Sequence, residues 1–381
     1  MARVRDSDAC PGALRTHRAA DGELARVRLA GGMLTAAQME AIATAALDLA
    51  TPTLELTSRA NVQIRGIRDT EALAQRLTAA GLLPSPTHET VRNIVASPLS
   101  GRRGGLRDVR SEVGALDAAL QRDPVLAELP GRFLFGIDDG SGDIAGLGAD
   151  AGVHAVDDGT VALVLAGADT GVRLPADDTV QVLLDIAHRF LEIRENHWRI
   201  AELADPLALL CPLAPTAEPG RTWPVVTRPP VGWIEQDDGR VALGAAVPLG
   251  VLDAETARYL AAVDAPLVVT PWRSVLICDL EEGVADVALR VLAPLGLIFD
   301  EASPWLSVSA CTGSPGCAQS LADVRADAAT AAGGAEHPTV GGAGPAVHRH
   351  FVGCERACGS PSVGEVLVAT GDGYQARHTH P

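Results

Sequence analysis

Four of the seven cysteines fall in two close pairs near the C-terminus. Cys311 and Cys317 lie in Ser309–Ala318, S-A-C-T-G-S-P-G-C-A, and Cys354 and Cys358 in Phe351–Pro361, F-V-G-C-E-R-A-C-G-S-P. Glycine and proline in such turns let backbone amides approach sulfur closely. On a short helix, Cys354 and Cys358 would point the same way, and Gly359 and Pro361 would stop that helix. Four convergent thiolates are the ligand set of a four-iron, four-sulfur cluster. Three other readings compete. Structural zinc favours two to four residues between paired cysteines, against five between Cys311 and Cys317. Disulfides need an oxidising compartment. Unrelated cysteines are often small core residues, and that reading suits Cys211 and Cys278, which sit in apolar runs. Cys10, in a Pro/Gly turn, acquires no role.

The second concentration of chemistry is guanidinium. All 31 basic residues are arginine, and Arg59, Arg65, Arg68, Arg92, Arg102, Arg103, Arg107 and Arg110 fall within one stretch. On a chain of net charge −17 such a cluster reads as a local pocket for a polycarboxylate or phosphate. For Arg102 to Arg110 a solvated basic surface fits equally well. The acidic balance speaks against nucleic acid as a partner, which needs a basic face.

These groups need elements to hold them. A chain of 381 residues, 47% hydrophobic and 21% charged, implies several packed globular units. The N-terminus lacks the apolar stretch of a secretory signal, and no run is long enough to cross a bilayer. The expectation is a cytoplasmic protein, whose reducing surroundings suit free thiolates.

Asp21–Leu29 alternates as a strand, and Thr35 with Gln38 forms a capping box before a helical apolar repeat. Thr53–Ile67 reads as two short strands about a polar turn, and Thr70–Ala80 as a helix closed by Gly81. The same order returns some two hundred residues on. A strand follows Asp238-Gly239, Asp253 caps a helix to Ala262, and Thr270 aligns with Thr57 so that V-T-P-W-R-S-V-L-I matches L-T-S-R-A-N-V-Q-I. This is a duplication, and two such units pack about a pseudo-two-fold axis with a site between them. Between the copies lie a helix near Val113–Gln121, strands within Leu129–Ile144 and at Val161–Leu165, and an amphipathic helix from Thr179 to Glu195. Cys211–Pro230 is Pro-rich and reads as a linker. Ala326–Ala346 reads as a helix and a loop.

The paired cysteines and the duplication together resemble the sirohaem-dependent nitrite and sulfite reductases. L-T-S-R-A-N-V-Q-I-R-G-I (Leu56–Ile67) is similar to that family's L-T-x-R-x-x-x-Q-x-x-G segment, and V-R-N-I-V (Val91–Val95) to its Arg-Asn strand. Within the superfamily, C-P-G-A-L-R from Cys10, A-D-G-E-L-A-R-V-R-L-A-G-G from Ala20 and L-P-G-R-F-L-F-G-I-D-D-G from Leu129 resemble the precorrin-3B synthases of aerobic cobalamin biosynthesis. The resemblance implies an α+β fold of duplicated ferredoxin-like half-domains with two larger α/β segments for tetrapyrrole and cluster. It divides the chain into half-domains at 12–83 and 231–299, a tetrapyrrole-binding segment at 84–210, the linker at 211–230 and a cluster-binding segment at 300–381.

By position, Arg59, Arg92 and Arg132 match three of the four basic residues that hold tetrapyrrole carboxylates and anionic substrate in the reductases. Leu134 stands where the fourth, a lysine, would be. Gln63 and Arg65, alternating with Val62 and Ile64, are expected to line the same pocket. Cys311, Cys317, Cys354 and Cys358 would hold the 4Fe-4S cluster, with Cys358 nearest the macrocycle. The implied reaction is oxygen-dependent hydroxylation of precorrin-3A at C20 with closure of a lactone. It would draw electrons from an unidentified donor and use a mononuclear non-haem iron for which His348 and His350 are candidates. The alternatives are a sirohaem-dependent sulfite or nitrite reductase, an iron–sulfur electron carrier and a zinc-stabilised binding module.

Overall fold

The computed structural model describes residues 10–333 and 347–379. The duplication is built as an exchange. One five-stranded antiparallel sheet runs in the order His17–Ala19, Gly22–Val27, Val62–Ile67, Thr53–Leu56, and ends with Val251–Asp253 from the second copy. The other runs Gly232–Glu235, Val241–Ala246, Ser274–Leu280, Leu267–Val269, and ends with Met33–Leu34 from the first. Each copy thus lends the other an edge strand, and buried residues of both copies form one continuous core.

The local sequence explains the exchange. Both lent strands follow a tight turn whose backbone passes through left-handed space, at Gly31 and Gly32 in one copy and at Leu249 and Gly250 in the other. Gly32 is obligatory, because a Cβ there would lie 1.9 Å from the Val269 carbonyl oxygen. A helix starts directly after each lent strand. Thr35 accepts from the Gln38 amide while Gln38 Oε1 accepts from the Thr35 amide, both at 3.1 Å, which is the expected capping box. In the second copy Asp253 caps Ala254–Ala262 through the Thr256 amide at 3.0 Å. Helix Ala36–Leu49 turns Ala43, Ala45 and Ala46 inward, and Ala254–Ala262 turns Ala257 and Ala261 inward. These small faces let the two helices pack together.

Between the copies a mixed sheet runs Ala168–Pro175, Thr160–Leu165, Ala151–Ala155, Phe135–Asp138, Ile94–Ala96. Helices Arg110–Arg122 and Thr179–Ile193 share a second core with it around Phe133, Phe135 and Phe190. The last segment is a four-stranded sheet, Val308–Ala310, Arg349–Val352 and Gly364–Thr370 in parallel, closed by Gly373–Thr379 antiparallel. Helix Val324–Gly333 realises the first part of the Ala/Gly-rich stretch; residues 334–346 lie outside the described residues.

Two local expectations change. Cys354 to Cys358 is a non-helical turn in which Ala357 takes a left-handed conformation, so a different geometry aims the two sulfurs. Residues 211–230 contain no helix or strand, yet they are packed: Thr222 bridges to Ala168, and Trp223 is buried with Ala145 and Val164. Cys278 is the core thiol expected, with burial pushing it up to about 11, whereas Cys211 is exposed.

Candidate active site

A cleft enclosing about 370 Å³ lies where all the segments meet. Two of its walls are the equivalent turns of the two copies. Thr57 donates to Asn61 O and Ala60 to Thr57 O in one, and Thr270 to Ser274 O and Arg273 to Thr270 O in the other. Ala60 and Arg273 occupy matching left-handed positions at φ 55 and 58. The first turn presents Ser58 and Arg59, the second Pro271, Trp272 and Arg273. Leu134 and Arg199 come from the central segment, Val225 to Thr227 from the connecting strap, and Ser309, His348 and Gly359 from the cysteine segment. The strap is held by the Trp272 indole, which donates to Val226 O at 2.6 Å.

Arg59 and Arg273 set the electrostatics. Arg59 donates to the Gly131 carbonyl at 3.2 Å and Arg273 to the Gly359 carbonyl at 3.3 Å. Among the described residues neither has a carboxylate within ion-pair distance. Burial, helped by the Arg199 charge, pushes the Arg59 guanidinium down to about 10, and burial also holds Arg273 low. Glu55 raises Arg273 and Asp150 raises Arg59 from beyond ion-pair distance, so the cost of burying each cation is only partly offset. A cleft carrying two of them is built for an anion.

The remaining basic positions lie elsewhere. Arg92 makes a two-point ion pair with Asp117 at 2.6 and 2.7 Å, and Arg132 is exposed with its guanidinium 4.9 Å over the Trp198 ring. Neither lines the cleft, whereas Leu134 does. Gln63 and Arg65 also fail to line it. Their strand turns them toward a buried polar network, in which Gln63 donates to Glu55 at 2.6 Å and Arg65 grips Asp21 with two bonds of 2.8 Å. Arg65 also donates to Gly316 O at 2.7 Å, so it ties the Cys317 loop to the first half-domain. Arg273 and Arg199 were the residues that motif reading missed. The duplication held a signal for Arg273, since its turn aligns with that of Arg59.

The four sulfurs come together at the end of the parallel sheet. Register places Ala310 beside Phe351, so the loops leaving those strands carry Cys311 and Cys354 out side by side. Cys311 N donates to Phe351 O at 2.9 Å, and the Gly353 amide points at Cys311 Sγ at 3.4 Å. Burial raises the Cys358 thiol, and the neighbouring Cys311, Cys354 and Cys317 raise it further by like-charge repulsion. An iron core would relieve that crowding. The loops are also shaped for close approach: a Cβ on Gly353 would meet Ser320 Oγ at 1.8 Å. Cys311, Cys317, Cys354 and Cys358 are not joined in disulfides.

Among the described residues, three donor atoms within 4.8 Å of one another occur at Asp138, Asp139 and Asp143, not among the cysteines. No three of the four sulfurs lie that close to one another, closer spacing being what one tetrahedral zinc would require. The donor set and its surroundings therefore fit a 4Fe-4S cluster. Asp138 is accounted for by its own loop, accepting the amides of Gly140, Gly142, Ile144 and Ala145.

His350 is not poised as an iron ligand. His348 Nε2 and His350 Nδ1 each lie 2.7 Å from Ser309 Oγ, and His350 Nε2 is 3.0 Å from Cys358 O. Protein groups thus engage both nitrogens of His350 and Nε2 of His348, whereas His348 Nδ1 has only the 3.4 Å contact to Leu306 O.

The fold is that of the nitrite/sulfite reductases, and residues 16–80 match their ferredoxin-like half domain. Among solved structures, that of the Mycobacterium tuberculosis NirA protein is similar over 93% of this chain and 74% of its own, with TM-score 0.77 and 19% identity. At that identity the likeness is one of fold. No curated protein matches the sequence. Among the described residues no helix is long and apolar enough to cross a membrane.

Proposed function

We propose that this chain is an iron–sulfur oxidoreductase whose cleft holds a polycarboxylate tetrapyrrole. The pair of half-buried guanidiniums with no carboxylate at ion-pair distance, Arg59 and Arg273, carries the reading. Carboxylates on opposite edges of a macrocycle would neutralise both, and each charge-assisted bond contributes roughly 1.5–3 kcal/mol. Cys311, Cys317, Cys354 and Cys358 would hold the cluster, which supplies single electrons when bound. Gly359, which follows Cys358, forms part of the cleft wall, so the thiolate nearest the tetrapyrrole would be Cys358.

Two reactions suit such a centre. In the first, precorrin-3A is the bound tetrapyrrole and is hydroxylated with dioxygen, as in a precorrin-3B synthase, with electrons from a separate donor. Leu134 in the cleft, and the placement of Arg92 on Asp117 and of Arg132 at the surface, away from the cleft, favour it. Of the three arginines at positions expected to grip a small anion and the macrocycle, Arg59 alone lines the cleft. In the second, sirohaem is resident and sulfite or nitrite is reduced. The half-domain match and the NirA fold support that reading more directly than the first.

Anaerobic purification, iron and sulfide analysis and an absorption spectrum test the proposal. The expected result is about four irons and four sulfides per chain, with binding of one tetrapyrrole. An intrinsic sirohaem spectrum selects the reductase. A chain without it that consumes oxygen on addition of precorrin-3A selects the synthase. Protein with zinc in place of iron, or with no affinity for either tetrapyrrole, refutes both.

A further inference from the structure

We infer that His348 is the group that exchanges a proton with the ligand in the cleft, its tautomer set by Ser309 and His350. The inference rests on the proposed tetrapyrrole site and assigns a role within it. It follows from counting protons along one chain of contacts. His350 Nε2 is 3.0 Å from the carbonyl oxygen of Cys358, and a carbonyl only accepts, so Nε2 carries the His350 proton. His350 Nδ1 is then an acceptor and takes the Ser309 hydroxyl proton at 2.7 Å. Ser309 has one proton and has given it away. The other 2.7 Å contact, to His348 Nε2, must therefore be donated by the His348 ring.

A neutral His348 then has no proton left for Nδ1, which faces another carbonyl, that of Leu306, at 3.4 Å. Four contacts run between two carbonyl ends, while two neutral imidazoles and one hydroxyl hold three protons. The contact left empty is the longest of the four. It belongs to the histidine that lines the cleft, whereas His350 is fully buried behind it.

A fourth proton completes the chain. His348 Nδ1–H then donates to Leu306 O, and Nε2–H stays on Ser309. Delivery to the ligand breaks the Nδ1–H bond, forms a bond between that hydrogen and a basic ligand atom, and returns His348 to the neutral tautomer. Burial holds His348 below the ordinary histidine range, opposed by the Leu306 carbonyl and aided by the Arg273 charge, so the cation is a stronger acid than a free imidazolium.

The test combines tautomers with turnover. In cluster-loaded protein labelled with ¹⁵N-histidine, long-range ¹H–¹⁵N spectra at neutral pH should show both rings protonated at Nε2. Ser309→Ala should leave His350 so and release His348 into a mixture of tautomers. His348→Gln should keep iron content and tetrapyrrole binding while lowering turnover about 100-fold, the low end for general acid–base catalysis. A wild-type His348 protonated at Nδ1 instead, or a His348→Gln enzyme at wild-type speed, overturns the inference and leaves the tetrapyrrole reading in place. Wild-type protein that binds no tetrapyrrole overturns that reading, and this role with it, even where the tautomers are as expected.

Discussion

Replacing Arg59 with methionine should stabilise the ligand-free protein and weaken the liganded one, a pair of opposite signs that a structural arginine would not give. The guanidinium is pushed down to about 10 by burial, first, and by the Arg199 charge. A displacement of that size corresponds to about 3 kcal/mol. Because the folded state disfavours the cation, this cost applies wherever Arg59 is charged. It is therefore present in full at neutral pH and fades only as pH rises above about 10. Arg59 is half-buried, so water screens part of it. Methionine keeps the stem's packing but loses the 3.2 Å bond to Gly131 O, leaving an expected net gain of about 1–2 kcal/mol. Thermal unfolding of the ligand-free variant should shift upward by about 2 °C for a chain of this size. Tetrapyrrole titration should show the opposite, a loss of roughly 10- to 150-fold in affinity for one charge-assisted contact. A variant that melts lower and binds as tightly as the parent would show that Arg59 serves the fold, and the argument from a cation without a paired carboxylate would fail.

Other consequences can be checked independently. Cys358→Ser should remove the visible absorbance of the cluster together with activity, and an active, cluster-free variant would exclude Cys358 as a ligand. Arg65→Met should destabilise the protein by about 2 kcal/mol, because it removes three hydrogen bonds made by a buried guanidinium, two to Asp21 and one to the Gly316 carbonyl. It should also lower iron content by freeing the Gly316 carbonyl and its loop; full iron loading in a stable variant would refute that tie. In folded, cluster-loaded protein a maleimide at pH 8 should label exposed Cys211 and spare Cys278. Burial lifts the Cys278 thiol to about 11, so both thiolate and access are lacking until the chain unfolds; labelling of native Cys278 would contradict the core placement.

Local chemistry made much of the architecture readable. The Thr35–Gln38 box, the Asp253 cap and the repeated Thr-turn-Val-x-Ile segments act within a few residues of themselves, so their patterns survive folding unchanged. The pairing of the cysteines was legible for the same reason: ligands grouped on short loops can converge only if the chain returns to one place. What residue pattern could not reveal was the direction of polar side chains on strands buried on both faces. Gln63 and Arg65 alternate with apolar neighbours as a cleft wall would, yet they point at Glu55, Asp21 and the Cys317 loop. Arg92 carries the expected charge but spends it on Asp117.

The sequence by itself therefore determined the duplication, the capped helices and the two sulfur pairs, because short-range hydrogen bonding and spacing specify them. Tertiary structure alone decided which cations are left without a paired carboxylate. Arg273 reaches the cleft because the two copies exchange edge strands and their equivalent turns line one cavity, although the residues are more than two hundred positions apart. Pairing of charges is a property of neighbours in space, and distant neighbours are set by packing.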